Sequence, residues 1–109
     1  MLEEVPSVQR NETYKSWADQ SHRPIFRAMD VRTRIGWNIR RLRADRSLTQ
    51  EDFATDSGFD RGYISGVERG VRNPSILVLH RIANALNVDV SELLSSAKAL
   101  EYEKLSRER

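Results

Sequence analysis

Leu48-Thr49-Gln50-Glu51-Asp52-Phe53-Ala54-Thr55-Asp56-Ser57-Gly58-Phe59-Asp60-Arg61-Gly62-Tyr63-Ile64-Ser65-Gly66-Val67-Glu68-Arg69-Gly70 is the stretch whose residues dictate the fold. Thr49 is placed to cap a helix, and Asp52, three positions on, completes a capping-box pattern. Phe53 and Ala54 then face inward. Ala54 is small, as two steeply crossing helices require where their backbones approach. Gly58 stands where the chain must leave the first helix in a left-handed conformation, which glycine adopts without steric cost. Phe59 is expected to cover the core beneath the turn. Asp60 is a good N-cap for a second helix whose inward positions are Ile64 and Val67, ending at Gly70. Arg61, Gly62, Tyr63, Ser65, Gly66 and Arg69 are left facing outward.

Two short helices, a tight turn, and a second helix offering polar side chains and arginines form the layout that sets a helix in the major groove of DNA. Further segments carry the same pattern: Ile39-Arg40-Arg41-Leu42-Arg43, Val67-Glu68-Arg69-Gly70, Asn73-Pro74-Ser75, Ile82-Ala83-Asn84-Ala85-Leu86 and Glu92-Leu93-Leu94. Together with the hairpin, they make the chain from about Ile35 to Leu94 resemble the DNA-binding domain of the XRE family, the helix-turn-helix type of phage Cro and phage repressors. The first thirty-odd residues and the last dozen take no part in the resemblance.

The resemblance implies roles residue by residue. Gln50 would bond a phosphate, helped by the positive end of the helix dipole. Arg61 and Gly62 hold the early recognition-helix positions, and Ser65 and Gly66 the next outward turn. The planar fork of Arg61 suits guanine O6 and N7; pairing with Asp60 or with a phosphate is the competing outcome. Gly62 and Gly66 depart from the family, which shows longer polar side chains there. Either the backbone approaches DNA closely, or fewer bases are read directly and duplex shape matters more. Arg69, Arg72 and Asn73 fall where the family contacts phosphates. Tyr63 either bonds a phosphate or covers the core edge. Arg43 and Glu68 would form a partly buried ion pair locking the first helix to the recognition helix.

Composition narrows the alternatives. The 109 residues carry a net charge of only +2, but charge is unevenly placed. Between Val31 and Gln50, Arg32, Arg34, Arg40, Arg41, Arg43 and Arg46 face the single acid Asp45, and Arg61, Arg69 and Arg72 follow the acidic stretch 51–60. Such clustering suits phosphate contact. Absence of cysteine excludes disulfides and thiolate zinc sites. With no apolar run near the ~18 residues of a membrane span and a polar, acidic start, a cytoplasmic protein is expected. Asp52, Asp56 and Asp60 recur every four residues, but Gly58 interrupts them and no histidine joins them. His22 and His80 stand alone. No phosphate loop or dinucleotide fingerprint occurs. No enzyme, metal or cofactor is expected.

The expected fold is all-α: a compact five-helix repressor-like domain over residues 32–96 (motif 50–69), an N-terminal extension over 1–31 and a helical tail over 97–109. The first domain helix should span Arg32 to Asp45 with Ile35, Ile39 and Leu42 on one face. The hairpin helices should occupy Gln50–Ser57 and Arg61–Arg69. A fourth, capped by Ser75, should present Leu79, Ile82, Ala83 and Leu86 and stop at Asn87. Asp89 and Glu92 suggest a capping box for a short fifth. The extension should hold one short helix near Glu12–Gln20.

A sequence-specific regulator follows, a homodimer on a palindromic operator of double-stranded DNA, since one recognition helix reads few base pairs. Its dimer surface is expected at Leu93, Leu94, Ala97 and Leu100. The rival is a protein-interaction module of antitoxin or coactivator type, with Tyr14, Trp17 and Phe26 either anchoring a partner or packing on their own domain. Arg23, Arg27 and Arg32 are also placed to form a minor-groove arm.

Overall fold

A computed structural model describes residues 29–108. The extension helix near Glu12–Gln20, the aromatic residues Tyr14, Trp17 and Phe26, and Arg23 and Arg27 lie outside the described residues. Within them run six helices: α1 Val31–Asp45, α2 Gln50–Ser57, α3 Arg61–Glu68, α4 Ile76–Ala85, α5 Ser91–Leu94 and α6 Ser96–Arg107. No strand occurs among the described residues.

Local chemistry sets the helix starts. Asp30 accepts from the backbone N–H of Arg32 at 2.8 Å, so α1 begins at Val31, one residue earlier than its apolar spacing predicts. The Arg32 guanidinium also bonds the Asp30 carboxylate and holds its pKa below the usual carboxylate range. Thr49 and Asp52 form the full reciprocal capping box of α2. Asp60 caps α3 through the Tyr63 N–H, and Ser75 caps α4 through the Val78 N–H. Gly58 closes α2 at φ 77°, and Asn87 follows α4 at φ 59°. The capping box expected at Asp89 and Glu92 is not made. Asp89 accepts from Ser91 N at 2.9 Å, while the Glu92 carboxylate turns to Lys98 and Arg41. The Lys98 hydrogen bond is the main reason that the Glu92 pKa is lowered.

One core joins the helices. Ile35, Ile39 and Leu42 of α1 meet Phe53 and Ala54 of α2, Ile64 and Val67 of α3, Leu79, Ile82, Ala83 and Leu86 of the α4 region, and Leu93 of α5. Burial of these side chains, about 1.5–3 kcal/mol for each large one, drives the assembly. Two expectations at the C-terminal end need correction. Leu93, expected on a dimer surface, is fully buried in this core, and Leu94 is half-buried against it. The segment after residue 96 is also no separate tail. Helix α6 packs along α1, burying Ala99 completely and setting Tyr102 edge-on to Trp37 with ring centroids 6.2 Å apart. Ala97 and Leu100 stay exposed on its other side.

Asn38 ties this end together. Its buried amide donates to the carbonyls of Leu93 (2.9 Å) and Ser95 (3.0 Å), satisfying backbone groups where α5 gives way to α6. Its carbonyl oxygen accepts from Arg41, which also donates to the Glu92 backbone carbonyl.

Two residues before Asn38, Gly36 lets two helices touch backbone to backbone. A Cβ there would lie 2.3 Å from the carbonyl oxygen of Glu68, the last residue of α3. Gly36→Ala is therefore expected to push α1 and α3 apart and to destabilise the fold by about 1–3 kcal/mol. Thermal melting should fall by about 4 °C or more; an unchanged melting point would show that the crossing yields at no cost.

Candidate nucleic-acid interface

Helix α3 has two faces of opposite character. Ile64, Val67 and Glu68 are buried. Arg61, Gly62 and Arg69 are exposed, with Ser65 and Tyr63 half-buried beside them. Asp60 accepts from the Tyr63 N–H at 3.2 Å, and the Arg61 guanidinium has no ion-pair partner among the described residues. Arg72 and Asn73, in the loop after α3, are exposed as well.

Glu68 fixes this helix from below. Its side chain is 1% exposed, and its two carboxylate oxygens take Arg43 Nε at 2.6 Å and Nη2 at 2.9 Å, a bidentate pair between α3 and α1. Arg43 Nη1 also donates to the Leu48 carbonyl at 2.8 Å, which ties the turn before α2 to the same group. Arg40 adds a second cation. Its Nε is 3.7 Å from Glu68 Oε1, its Nη2 donates to the Glu68 backbone carbonyl at 3.0 Å, and its guanidinium lies 4.4 Å over the Trp37 ring. Arg40 thus satisfies the carbonyl left open at the end of α3.

Gln50 belongs to the same cluster. The family resemblance assigns it a phosphate, yet here its Nε2 donates to Glu68 Oε1 at 3.0 Å and the side chain is half-buried. A phosphate contact by that amide would require it to leave Glu68.

Gly66 also departs from its expected place. Instead of facing outward it is buried, because the stem of Arg72 crosses it. It presents no surface of its own to a ligand. The Arg72 guanidinium continues to 5.9 Å from the Tyr63 ring centre. Tyr63 stacks on Phe59 at 5.5 Å, and Arg81 of α4 lies 4.0 Å over Phe59. Arg–Tyr–Phe–Arg therefore forms a continuous stack flanking α3, and Arg81 also donates toward the Ser57 carbonyl that ends α2.

Three residues important to this arrangement escaped the sequence reading, Gly36, Asn38 and Arg81, and Arg40 was read only as one of the clustered arginines suited to phosphate contact. A glycine inside a helix at a propensity cost of about 1 kcal/mol was a visible signal of close approach. So was an asparagine set between Ile35 and Ile39. Arg81 looked like any solvated arginine, and Arg40, read as part of a basic cluster for phosphate contact, is instead engaged with Glu68; nothing in local sequence separates them.

A helix pair joined by a left-handed glycine, with the second helix clamped from beneath and its outer flank lined by free arginines, is a helix-turn-helix domain. Residues 39–93 match the helix-turn-helix family model HTH_3. The chain belongs to this family, of the XRE type. It is 45% identical over 67 residues to the uncharacterized HTH-type transcriptional regulator y4dJ of Sinorhizobium fredii, covering 62% of this chain and 87% of that protein. Among solved structures it is similar to the restriction-modification controller protein C.AhdI from Aeromonas hydrophila, at 42% identity and a TM-score of 0.55, over 57% of this chain and 94% of that one. It is also similar to the controller protein C.Esp1396I, solved as a tetramer in complex with its natural 35 base-pair operator. That match has 33% identity and a TM-score of 0.53, over 62% of this chain and 99% of that one.

Removing the Glu68 carboxylate strands Arg43 in a site where it is mostly shielded from water. Glu68→Ala is expected to cost about 3–5 kcal/mol. Its melting temperature should drop by about 12 °C or more. A variant melting with the parent would remove the pair from any structural role.

Proposed function

We propose that the protein is a sequence-specific DNA-binding transcriptional regulator that places α3 in the major groove of double-stranded DNA. The observation that carries this reading is the division of α3. One flank is locked to the core by Glu68, while Arg61 and Arg69 on the other are exposed. A rigid helix with free guanidinium groups can approach a duplex and bond both phosphates and base edges. Arg61 is the base-reading candidate, and Arg69, Arg72, Asn73 and the Tyr63 hydroxyl are candidates for the flanking contacts. Gly62 leaves room for close approach. Names of the relatives, transcriptional regulators and controller proteins, favour this reading over an interaction module. It implies work in the cytoplasm, where the operator lies. Among the described residues, no helix is long and apolar enough to cross a membrane.

The test is binding to genomic fragments at rising salt. Affinity should fall steeply because releasing counterions into a more concentrated salt solution gains less free energy, while a preference for some fragments survives. Binding without preference at every salt concentration would defeat the reading.

One recognition helix spans few base pairs, so the regulator should act as a homodimer on a two-fold operator, its α3 helices about 34 Å apart. With Leu93 in the core, Ala97 and Leu100 on the open side of α6 remain as the candidate contact, Leu100 being 46% exposed. Light scattering should give twice the chain mass for the parent and a monomer for Leu100→Glu. A strict monomer from the parent at high concentration would exclude the dimer, and a dimeric Leu100→Glu would move its surface elsewhere.

A further inference from the structure

Helix α6 begins only after the helix-turn-helix stretch has ended, yet a line of contacts runs from it to the last residue of α3. Tyr102 of α6 meets the Trp37 ring edge-on, with centroids 6.2 Å apart. Trp37 and Arg40 stand three positions apart on one face of α1, and the Arg40 guanidinium lies 4.4 Å over the Trp37 ring. From that seat Arg40 Nη2 donates to the Glu68 backbone carbonyl at 3.0 Å. Arg43 already holds the Glu68 carboxylate by two hydrogen bonds. What Arg40 supplies is different: among the described residues no other donor reaches that carbonyl, where the backbone of α3 ends. Arg69, an exposed candidate for DNA contact, is the next residue.

We propose that Tyr102 and Trp37 are positioning residues for DNA recognition, holding Arg40 on the end of α3 so that α6 sets how the recognition helix meets the duplex. The physical need is plain. An arginine stem is flexible, and its guanidinium is pinned only where a flat partner and a hydrogen-bond acceptor limit it together. Trp37 supplies the flat partner, and the Tyr102 edge contact keeps the indole from turning. Coupling of this kind is carried by packed side chains and hydrogen bonds, and here three side chains complete the path from α6 to α3. Neither aromatic residue has to touch DNA. The proposal rests on the DNA-binding function argued above.

The test is the affinity of the full chain for its best-bound and worst-bound genomic fragments at several salt concentrations. Parent, Tyr102→Phe and Tyr102→Ala are compared at a temperature where circular dichroism shows each one folded. Tyr102→Phe keeps the ring and should match the parent. Tyr102→Ala should weaken the best fragment by about two- to thirtyfold and leave the worst unchanged. Its salt slope should equal the parent's, because no phosphate contact is lost. Arg40→Gln already lacks the guanidinium, so adding Tyr102→Ala to it should cause no further loss. The Arg40 Nε–H proton resonance, shifted by the indole ring in the parent and in Tyr102→Phe, should move to the position of a free arginine in Tyr102→Ala. Should Tyr102→Ala not fold, Tyr102→Leu takes its place with the same expectations, since it packs without offering a ring edge. Equal losses on both fragments mark a general weakening of the fold and overturn the positioning role. Tighter binding with a steeper salt slope shows Arg40 released onto a phosphate and overturns it too, as do unchanged affinities or an unmoved resonance. A full second loss in the double variant overturns the path through Arg40. A parent without preference among fragments fails at the DNA-binding reading itself, which separates that failure from the others.

Discussion

A carboxylate with 1% of its side chain exposed, Glu68, holds the molecule's two jobs together. An isolated buried charge would be expelled or neutralised, so the fold must bring cations and donors to it. Arg43 supplies a two-point contact from α1, Arg40 a second cation, and Gln50 an amide from the first turn of α2. Because these come from two other helices, the position of α3 relative to α1 and α2 is set by hydrogen-bond geometry as well as by apolar packing. Hydrophobic contact alone tolerates sliding and rotation. A bidentate arginine–carboxylate pair does not.

The close crossing at Gly36 belongs to the same design. With no side chain in the way, the α1 backbone comes near the Glu68 carbonyl, and Arg43 and Arg40 reach the carboxylate from the turns that follow. A larger residue at 36 would move the cations away from the charge they neutralise. On the outer flank the logic is reversed: arginines are kept apart from carboxylates. Asp60 is occupied with a helix cap and Glu68 with the interior, so Arg61, Arg69 and Arg72 retain positive charge at the surface without internal partners strong enough to hold them back. The Tyr63–Phe59 stack gives Arg72 and Arg81 an orientation and leaves their charge intact.

Much of the fold was legible because it is written in short-range chemistry. The limits of α2 and the caps at Thr49, Asp60 and Ser75 depend on residues within three or four positions of one another. So do the left-handed turns at Gly58 and Asn87. The core stripes followed from helical spacing. Legibility ended where two segments meet. Leu93 and Leu100 carry the same side chain on successive helices, yet one is fully buried and the other exposed, because only Leu93 points into the common core. The turn at Ser47, left-handed at φ 56° without glycine, carried no sequence signal at all.

The amino-acid order by itself determined the helix-turn-helix, its polarity, and which residues of α3 face the core, since periodicity and capping are local properties. Tertiary structure alone decided that Gln50 turns to Glu68, that α6 closes on α1, and that Arg72 lies across Gly66. Each of these joins groups far apart in the chain or on separate elements. Side-chain type specifies what a group can bond, but only the packed arrangement of helices specifies which partner is within reach.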